Sequence, residues 1–321
     1  MPIRSRFLLF AAALLAATQA LAPDPLTPRI GDQKGNMRAP LGAAGALRGL
    51  PYDIHWAEFP AAAPLAEALN AGAIDAGIIG DAPLLFVLAS GAPVKAVAVD
   101  KSDPYGTALL VRPDAPLQSA ADLKGKRIAT GRGSIGHHLA LKALDKAGLS
   151  EKDVELRFLG PVDAKIALAN GSVDAWSTWE PYTALAELSG QGRVLVDGRG
   201  LSTGNSFLAV TDKALHDPAR HAALQDYLKR LAGAQVWAYQ HLDSYSHTLA
   251  KIIGFPEDAA RLQFERRQLR WQAIDAKTIA EQQETADFYH AHGLMTQRLD
   301  VSPTFAKDFS VPNAEAVAAQ H

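Results

Sequence analysis

The sequence predicts an α/β protein of two similar lobes with a cleft between them, and three observations support this fold class. At 321 residues the chain exceeds what one hydrophobic core usually organises. Strand-like runs alternate with helix-like stretches through about the first two hundred residues, which is typical of α/β layers. A five-residue motif also recurs 99 positions further along, with Asp75 and Asp174 in equivalent places, and this indicates two equivalent units.

The first unit contains five strand-like runs separated by helix-like stretches. They are residues 29–31, 53–56, 76–79, 94–99 and 109–111. The second unit has four such runs, at residues 127–129, 154–158, 174–178 and 193–196. The alternation predicts parallel layers in both units.

Long helices replace this alternation from about Thr211, including residues 217–241 and 276–292, and no strand pattern alternates with them. Such a tail is expected to pack back on the first lobe and complete it. We therefore expect lobe 1 to comprise residues 23–102 plus 204–312 and lobe 2 to comprise residues 103–203. The last residues, 313–321, are expected to be a frayed end.

The N-terminus has the order of a secretory signal. Arg4 and Arg6 precede an apolar run at residues 7–17, and Ala20-Leu21-Ala22 supplies a cleavage box, with a cut after Ala20 as the alternative. The apolar run is shorter than the roughly 20 residues that a membrane span needs. We expect residues 1–22 to be removed and the protein to be periplasmic.

The composition excludes several classes of protein. Loss of Arg4 and Arg6 reduces the 32 basic residues to 30, against 34 acidic residues, and both signs are scattered. A nucleic acid partner is therefore not expected. The chain has no cysteine, which excludes disulfides, thiolate catalysis, thiolate metal sites and a lipid-anchored N-terminus. We expect no cofactor.

The repeated motif points to a shared cleft. Gly72-Ala73-Ile74-Asp75-Ala76 matches Gly171-Ser172-Val173-Asp174-Ala175, and each stretch should be a helix end, a turn and a strand. The match continues to the strand exits, where Gly80-Asp81-Ala82 aligns with Trp179-Glu180-Pro181. If the two units are equivalent, both exits face one cleft.

The stretch Thr130 to His138 has the residue types of an anion site, because helix N-termini offer free N–H groups and a positive dipole end. Gly133 lets the backbone approach a ligand, and Ser134 can cap the helix or donate its hydroxyl. A tight turn with an ordinary serine cap explains the same residues.

The same stretch matches the G-x-G-x-x-G motif of dinucleotide-binding proteins at Gly131, Gly133 and Gly136. A nucleotide-binding fold would place an acid at the end of the next strand, about 20 residues on. That strand instead ends in Arg157-Phe158-Leu159-Gly160. The context disfavours an oxidoreductase.

Other strand exits supply further candidate residues. Gln33 can donate its amide N–H to an anion, and is favoured over Lys34. Asp81 can cap its helix or accept from a donor group on a ligand. Asn205 either reaches the ligand or stabilises its own turn.

An aromatic cluster surrounds Glu180, which is expected to cap its helix. Core packing explains Trp176, Trp179 and Tyr182, and the alternative is that they wall the cleft against an organic group. His137 and His138 lack the further ligands of a metal site, and Ser134 with His137 lacks an orienting acid. No catalytic constellation is recognisable.

Together these motifs resemble the periplasmic binding proteins of the sulfonate, nitrate and taurine importer group, and most closely the aliphatic-sulfonate receptors. The resemblance spans residues 29–211. It is carried by Arg29 to Asn36, Gly72 to Asp75, Gly80 to Pro83, Asp122 to Ala129, Gly133-Ser134, Gly171 to Trp176 and Trp179 to Tyr182.

The resemblance implies a type II periplasmic binding protein fold with two α/β lobes, a central ligand cleft and a two-crossover hinge near residues 100–105 and 200–205. It also implies a ligand held by helix N-termini and polar side chains. The residues at the matching positions are Gln33, Gly80, Asp81, Gly133, Ser134, His137 and Trp179. We also expect Glu180 and Asn205 to contact the ligand.

Two positions depart from the family pattern. Asp32 stands where an aromatic residue is usual, and Glu180 where Asp is frequent. A carboxylate beside an anion site opposes binding unless it points away or meets a donor on the ligand.

The expected function is that of a monomeric, non-enzymatic receptor for a sulfonate-type anion, namely an alkanesulfonate, taurine or a sulfate ester. It would deliver this small organic anion to the permease and ATPase of an ABC importer for sulfur acquisition. A sulfonate stays singly charged at neutral pH, so neutral N–H donors suit it and no arginine clamp is required. The alternatives are a receptor for a thiamine-precursor pyrimidine or nitrate, and a secreted hydrolase built on Ser134 and His137.

Overall fold

The structure is a computed structural model that describes residues 26–312. The expected signal segment, residues 1–22, and the expected frayed end, residues 313–321, lie outside the described residues. The described strands are β1 (Arg29–Gln33), β2 (His55–Phe59), β3 (Ala76–Gly80), β4 (Val94–Lys101), β5 (Ala108–Val111), β6 (Arg127–Thr130), β7 (Glu155–Phe158), β8 (Ala175–Thr178), β9 (Arg193–Asp197), β10 (Asn205–Thr211) and β11 (Arg270–Gln272).

The helices lie between these strands and in the C-terminal third. They are α1 (Arg38–Ala43), α2 (Ala62–Asn70), α3 (Asp81–Ala89), α4 (Ile135–Lys146), α5 (Pro161–Ala169), α6 (Tyr182–Leu188), α7 (Asp212–His216), α8 (Pro218–Gln240), α9 (Leu242–Ile253), α10 (Glu257–Arg267) and α11 (Ala276–Ala291). In the described part of the chain, no helix is long and apolar enough to cross a membrane.

The strands form two separate sheets. The first has the order β11-β4-β10-β3-β1-β2, and the second has the order β7-β6-β8-β5-β9. The expected parallel pairing holds for β1 with β2 and β3, and for β6 with β7 and β8. It is wrong for β10 and β5, which run antiparallel to their neighbours. These two strands enter each sheet directly from the other one, without the covering helix that parallel neighbours require.

The chain passes between the sheets twice, from β4 to β5 and from β9 to β10. The two crossovers are tied together, because the N–H and the hydroxyl of Ser102 donate to the carbonyl of Gly204 at 2.9 and 2.8 Å. Gly204 has a φ of +73°, and a Cβ there would lie 2.1 Å from the Ser102 carbonyl oxygen. Only glycine allows this approach. The predicted two-crossover fold is confirmed.

The repeated motif has the same role in both sheets. Asp75 accepts from the backbone N–H of Arg29 at 2.8 Å and from its Nη2 at 2.6 Å. Asp174 accepts from the backbone N–H of Arg127 at 2.9 Å and from its Nε at 3.0 Å. Each carboxylate therefore joins the turn before one strand to the start of the neighbouring strand.

Helices cover both faces of the first sheet. Leu65, Leu84 and Tyr289 belong to the core on one face, and Met37 and Tyr227 belong to the core on the other. Tyr289 and Tyr227 come from α11 and α8, so the C-terminal helices pack on the first sheet. The expectation of a strandless tail is wrong at β11, which pairs with β4. Three residues are too few to give a period-2 signal.

Candidate functional site

A cleft lies between the sheets, at the ends of β1, β3, β6 and β8, and it contains two adjoining cavities. The smaller, of about 100 Å³, is lined by residues from both sheets. The larger, of about 730 Å³, shares Ala62, Pro83, Ser134 and Trp179 with it. All nine residues selected from the sequence line one cavity or both: Gln33, Gly80, Asp81, Gly133, Ser134, His137, Trp179, Glu180 and Asn205.

The start of α4 reaches the junction of the two cavities. Ser134 is its N-cap, and its Oγ accepts the backbone N–H of His137 at 3.1 Å. The carbonyl of Ser134 accepts from His138 at 3.0 Å. The first N–H groups of a helix have no acceptor within it, so those of Ile135 and Gly136 are left for another acceptor. The first turn of α4 contains no acidic residue, and its positive dipole end therefore stays uncompensated.

The glycine pattern around this turn has a structural explanation. Gly133 has a φ of +68°, which favours glycine. A Cβ on Gly136 would lie 2.7 Å from the carbonyl oxygen of Ser177, so glycine lets α4 pack closely on β8. The hydroxyl of Ser177 donates to the Gly136 carbonyl at 2.6 Å.

The buried side chain of His137 stabilises the turn at Gly133 that precedes α4. The N–H of Gly133 donates to its Nδ1 at 3.2 Å, so this N–H is already used by the protein. Burial, together with the charge of Arg132, lowers the pKa of His137 to about 4. The imidazole is therefore neutral near pH 7, and because Nδ1 accepts, Nε2 carries the proton. Its ring meets the edge of Phe158 with centroids 5.2 Å apart.

Asp81 neutralises the start of α3 in the first sheet. Its Oδ1 accepts from Ala82 N–H at 2.6 Å and its Oδ2 from the hydroxyl of Thr203 at 2.6 Å. Burial raises the pKa of this carboxyl, and the Thr203 hydrogen bond opposes the rise. Gly80 is the N-cap of α3, so Asp81 is the first helical residue and not the cap that the sequence suggested. Its carboxylate also joins α3 to the second crossover.

Asp32 neutralises the loop before α1 in a similar way. It is 1% exposed and accepts from the N–H groups of Gln33, Met37 and Arg38 at 2.8, 3.1 and 2.9 Å. Burial raises its pKa to about 6, although these three donors favour the ionised form. Asp32 does not line either cavity. The conflict expected between this carboxylate and an anion is therefore avoided, because the side chain points away from the cleft.

Glu180 stabilises the start of α6 from one position before the N-cap, which is Pro181, and its Oε2 accepts from Ala184 N–H at 3.0 Å. Its Oε1 also forms a buried ion pair with Arg266, whose Nη1 donates to Glu187 at 2.6 Å. Burial raises the pKa of Glu180, and Arg266 opposes the rise. Arg266 lies at the end of α10, so this ion pair joins the C-terminal helices to the second sheet.

Two predicted polar residues are already engaged within the protein. The amide nitrogen of Gln33 donates to the Ile78 carbonyl at 2.8 Å, which uses one of the two N–H groups of this amide. The amide nitrogen of Asn205 donates to Glu281 at 2.8 Å. Both side chains therefore stabilise the edges of the cleft through hydrogen bonds within the protein.

Sequence reasoning missed Arg267, which lines the smaller cavity. Its Nη1 donates to Asn36 Oδ1 at 3.3 Å, and within residues 26–312 it forms no ion pair with a carboxylate. It is the last residue of α10, in a stretch without any local motif. Only the packing of that helix brings this cation to the cleft.

The aromatic cluster divides between the core and the cleft. Trp179 lines both cavities and Tyr182 lines the smaller one. The expectation that Trp176 faces an organic group is wrong, because Trp176 is 1% exposed and packs in the core with Leu168. Residues in a strand point alternately to opposite faces, and this one points away from the cleft.

Comparisons with known proteins agree with this architecture. The family described as NMT1/THI5 like matches residues 56–216. The putative aliphatic sulfonates-binding protein of Escherichia coli K12 is 35% identical over 301 residues, which cover 92% of this chain and 93% of that protein. The alkanesulfonate-binding protein SsuA from Xanthomonas axonopodis pv. citri, bound to MOPS, is 35% identical with a TM-score of 0.81, covering 89% of this chain and 99% of that one.

A more distant structure is that of the desulfurization enzyme DSZB, which has a TM-score of 0.62 at 19% identity over 92% of this chain and 99% of that one. It shares the fold alone. The relationship to aliphatic-sulfonate-binding proteins that the motifs indicated is confirmed. The chain therefore belongs to the NMT1/THI5-like family and has the type II periplasmic binding protein fold.

Proposed function

We propose that this protein is a periplasmic receptor that binds a sulfonate-type organic anion at the start of α4 and delivers it to an ABC importer. The observation that carries the proposal is the contrast between helix starts at the cleft. Carboxylates occupy the donors at α1, α3 and α6, through Asp32, Asp81 and Glu180. The start of α4 instead has a neutral serine cap and free N–H groups, whereas the start of α2, which also lacks an acid, has only alanines and no polar side chain to hold a head group.

The chemistry of this helix start suits a sulfonate. Such a head group has three acceptor oxygens and no ionisable proton near pH 7, so it needs donors and gains nothing from a base. The Ile135 and Gly136 N–H groups and the Ser134 hydroxyl supply neutral donors. Arg267 adds a positive charge to the lining of the smaller cavity. The named functions of the similar proteins support the same ligand class.

We further propose that residues 23–102 and 204–312 form lobe 1 and that residues 103–203 form lobe 2. The two lobes then close on the ligand about the paired crossovers. Because residues from both sheets line the cavities, a ligand there stabilises the closed arrangement. We propose that the protein acts as a monomer and presents this closed form to a permease and its ATPase.

Binding is favoured over hydrolysis by the geometry at Ser134. Its Oγ contacts the backbone N–H of His137, whereas the imidazole Nδ1 of His137 accepts from Gly133. No base therefore contacts the hydroxyl among the described residues. For a pyrimidine ligand, the acids Asp81 and Glu180 would need free oxygens, but Thr203 and Arg266 already occupy them.

Isothermal titration calorimetry of the mature protein tests the proposal with alkanesulfonates, taurine, a sulfate ester, nitrate and a thiamine-precursor pyrimidine. We expect heat of binding with sulfur anions and none with the pyrimidine. Ser134→Ala should weaken sulfonate binding by tenfold or more. Ser150→Ala is the matched control, because Ser150 starts an exposed 3-10 helix away from both cavities. Absence of binding by every sulfur anion would refute the proposal.

A further inference from the structure

The larger cavity has much more room than an anionic head at the start of α4 would fill. It adjoins the start of α4 and extends away from the smaller cavity, between α2, α3 and the second sheet. Its volume is about 730 Å³, against about 100 Å³ for the smaller cavity. An apolar cavity of roughly 150 Å³ holds a benzene ring, so the smaller space has no room for a ring beside a head group.

The walls of the larger cavity are mainly apolar. Alanines of α2 and hydrophobic residues of α3 form one side, and the end of β7 with the start of α5 forms the other. The apolar lining includes Ala66, Pro83, Phe86, Phe158, Leu159 and Trp179. The charged lining residues are Glu67 and Arg132.

Phe158 is held as a fixed aromatic wall of this cavity. The guanidinium carbon of Arg132 lies 3.7 Å from its ring centroid, and the His137 ring meets it at right angles. The cation therefore covers one part of the ring, and the neutral imidazole supports another. Phe86 contributes a second ring from α3, on the opposite side of the cleft.

We propose that this cavity is a chamber for a bulky aromatic tail, so that the protein prefers arenesulfonates of two fused rings over short alkanesulfonates. This inference depends on the proposed function, because the head group must sit at the start of α4. A chamber of this size is in the range of sites for drug-sized ligands. A two-carbon tail leaves its apolar walls without contacts, whereas a naphthalene ring system buries them.

Calorimetry with 2-naphthalenesulfonate and ethanesulfonate, which share one head group, tests the inference. The native protein should bind the naphthalene compound at least 100-fold more tightly. Ala66→Trp places a ring in the chamber and should reduce that ratio below tenfold. Ala280→Trp is the control, because Ala280 is an exposed helical alanine outside both cavities and should retain the ratio.

A second variant, Phe158→Ala, removes the aromatic wall and should also reduce the ratio, and thermal melting confirms that each variant folds. Equal affinity for the two ligands, or an unchanged ratio in Ala66→Trp, would overturn the chamber while leaving the sulfonate site intact. Failure of both ligands to bind the native protein would refute the proposed function and the chamber together.

Discussion

The backbone N–H of Gly133 donates a hydrogen bond of 3.2 Å to Nδ1 of His137, within the turn that starts α4. This contact fixes the tautomer of the imidazole and the shape of the turn at the same time. The same turn presents the free donors of Ile135 and Gly136. His137 is therefore a positioning residue, and the properties of the proposed anion site depend on it.

Replacing His137 should weaken sulfonate binding even though the native imidazole carries no charge near pH 7. His137→Phe keeps a ring against Phe158 but leaves the Gly133 N–H without an acceptor, which costs about 1 kcal/mol of stability. We expect several-fold weaker sulfonate binding by calorimetry. His216→Phe is a matched control, since His216 also contacts a backbone atom four residues away but is exposed.

The affinity of the native protein should be constant between pH 6 and 8. Burial lowers the pKa of His137 to about 4, so the ring stays neutral throughout this range. A histidine with the ordinary value of 6.5 would instead strengthen anion binding as the pH fell through that range. Calorimetry at several pH values decides between the two cases, and an affinity that rises below pH 7 contradicts this account.

Gly80 should be required for the closed cleft. A Cβ at this position would lie 2.8 Å from Cγ2 of Ile135, across the cleft at the start of α4. Gly80→Ala should therefore weaken sulfonate binding about tenfold, and Ile135→Ala in the same chain should restore part of it. The control is Gly42→Ala, because a Cβ there meets nothing within 4 Å. Equal affinities of the native protein and Gly80→Ala would exclude this steric role.

Loss of the carboxylate at Glu180 should destabilise the fold. Glu180→Gln leaves the buried guanidinium of Arg266 with Glu187 as its remaining acid, and breaking such a pair costs about 3 kcal/mol. Urea denaturation followed by tryptophan fluorescence measures the free energy of unfolding. Asp197→Asn breaks the more exposed pair with Arg199 and should have a much smaller effect. Similar losses in the two variants would contradict the proposed role of burial.

Asp32 should make the stability depend on pH. Burial raises its folded pKa to about 6, so the folded state holds this proton after the unfolded state has lost its own near 3.8. The contribution of Asp32 is therefore present below pH 3.8 and is lost as the pH rises through about 6. Asp32→Asn cannot ionise, and relative to the native protein its stability should rise across this window by up to about 3 kcal/mol. If the free energies of unfolding of the two proteins change in parallel between pH 3.8 and 6, Asp32 does not titrate in this range.

Much of the fold followed from local patterns. Every strand-like run of the sequence overlaps a strand, although the run at residues 53–56 shares only its last two residues with β2, and the repeated aspartates, Asp75 and Asp174, occupy matching places. Strand periodicity, glycine turns and helix caps depend on neighbouring residues, so a single sequence reveals them. The three-residue strand β11 and the reversed direction of β5 depend on pairing with distant segments, which no local pattern records.

The residues of the candidate site also fall into two groups, those that local sequence patterns predicted and those that only long-range packing placed. Local sequence patterns were enough to predict that Gly80, Gly133, Ser134 and Trp179 stand at strand exits and helix starts, because each position follows from its immediate neighbours. Tertiary packing turns the Asp32 side chain away from the cleft. It also brought Arg267 to the smaller cavity and Arg266 to Glu180 from a helix distant in sequence, and it placed Phe86 and Phe158 around one cavity. Charge pairing and cavity shape are long-range properties, set by how the two sheets and the C-terminal helices pack together.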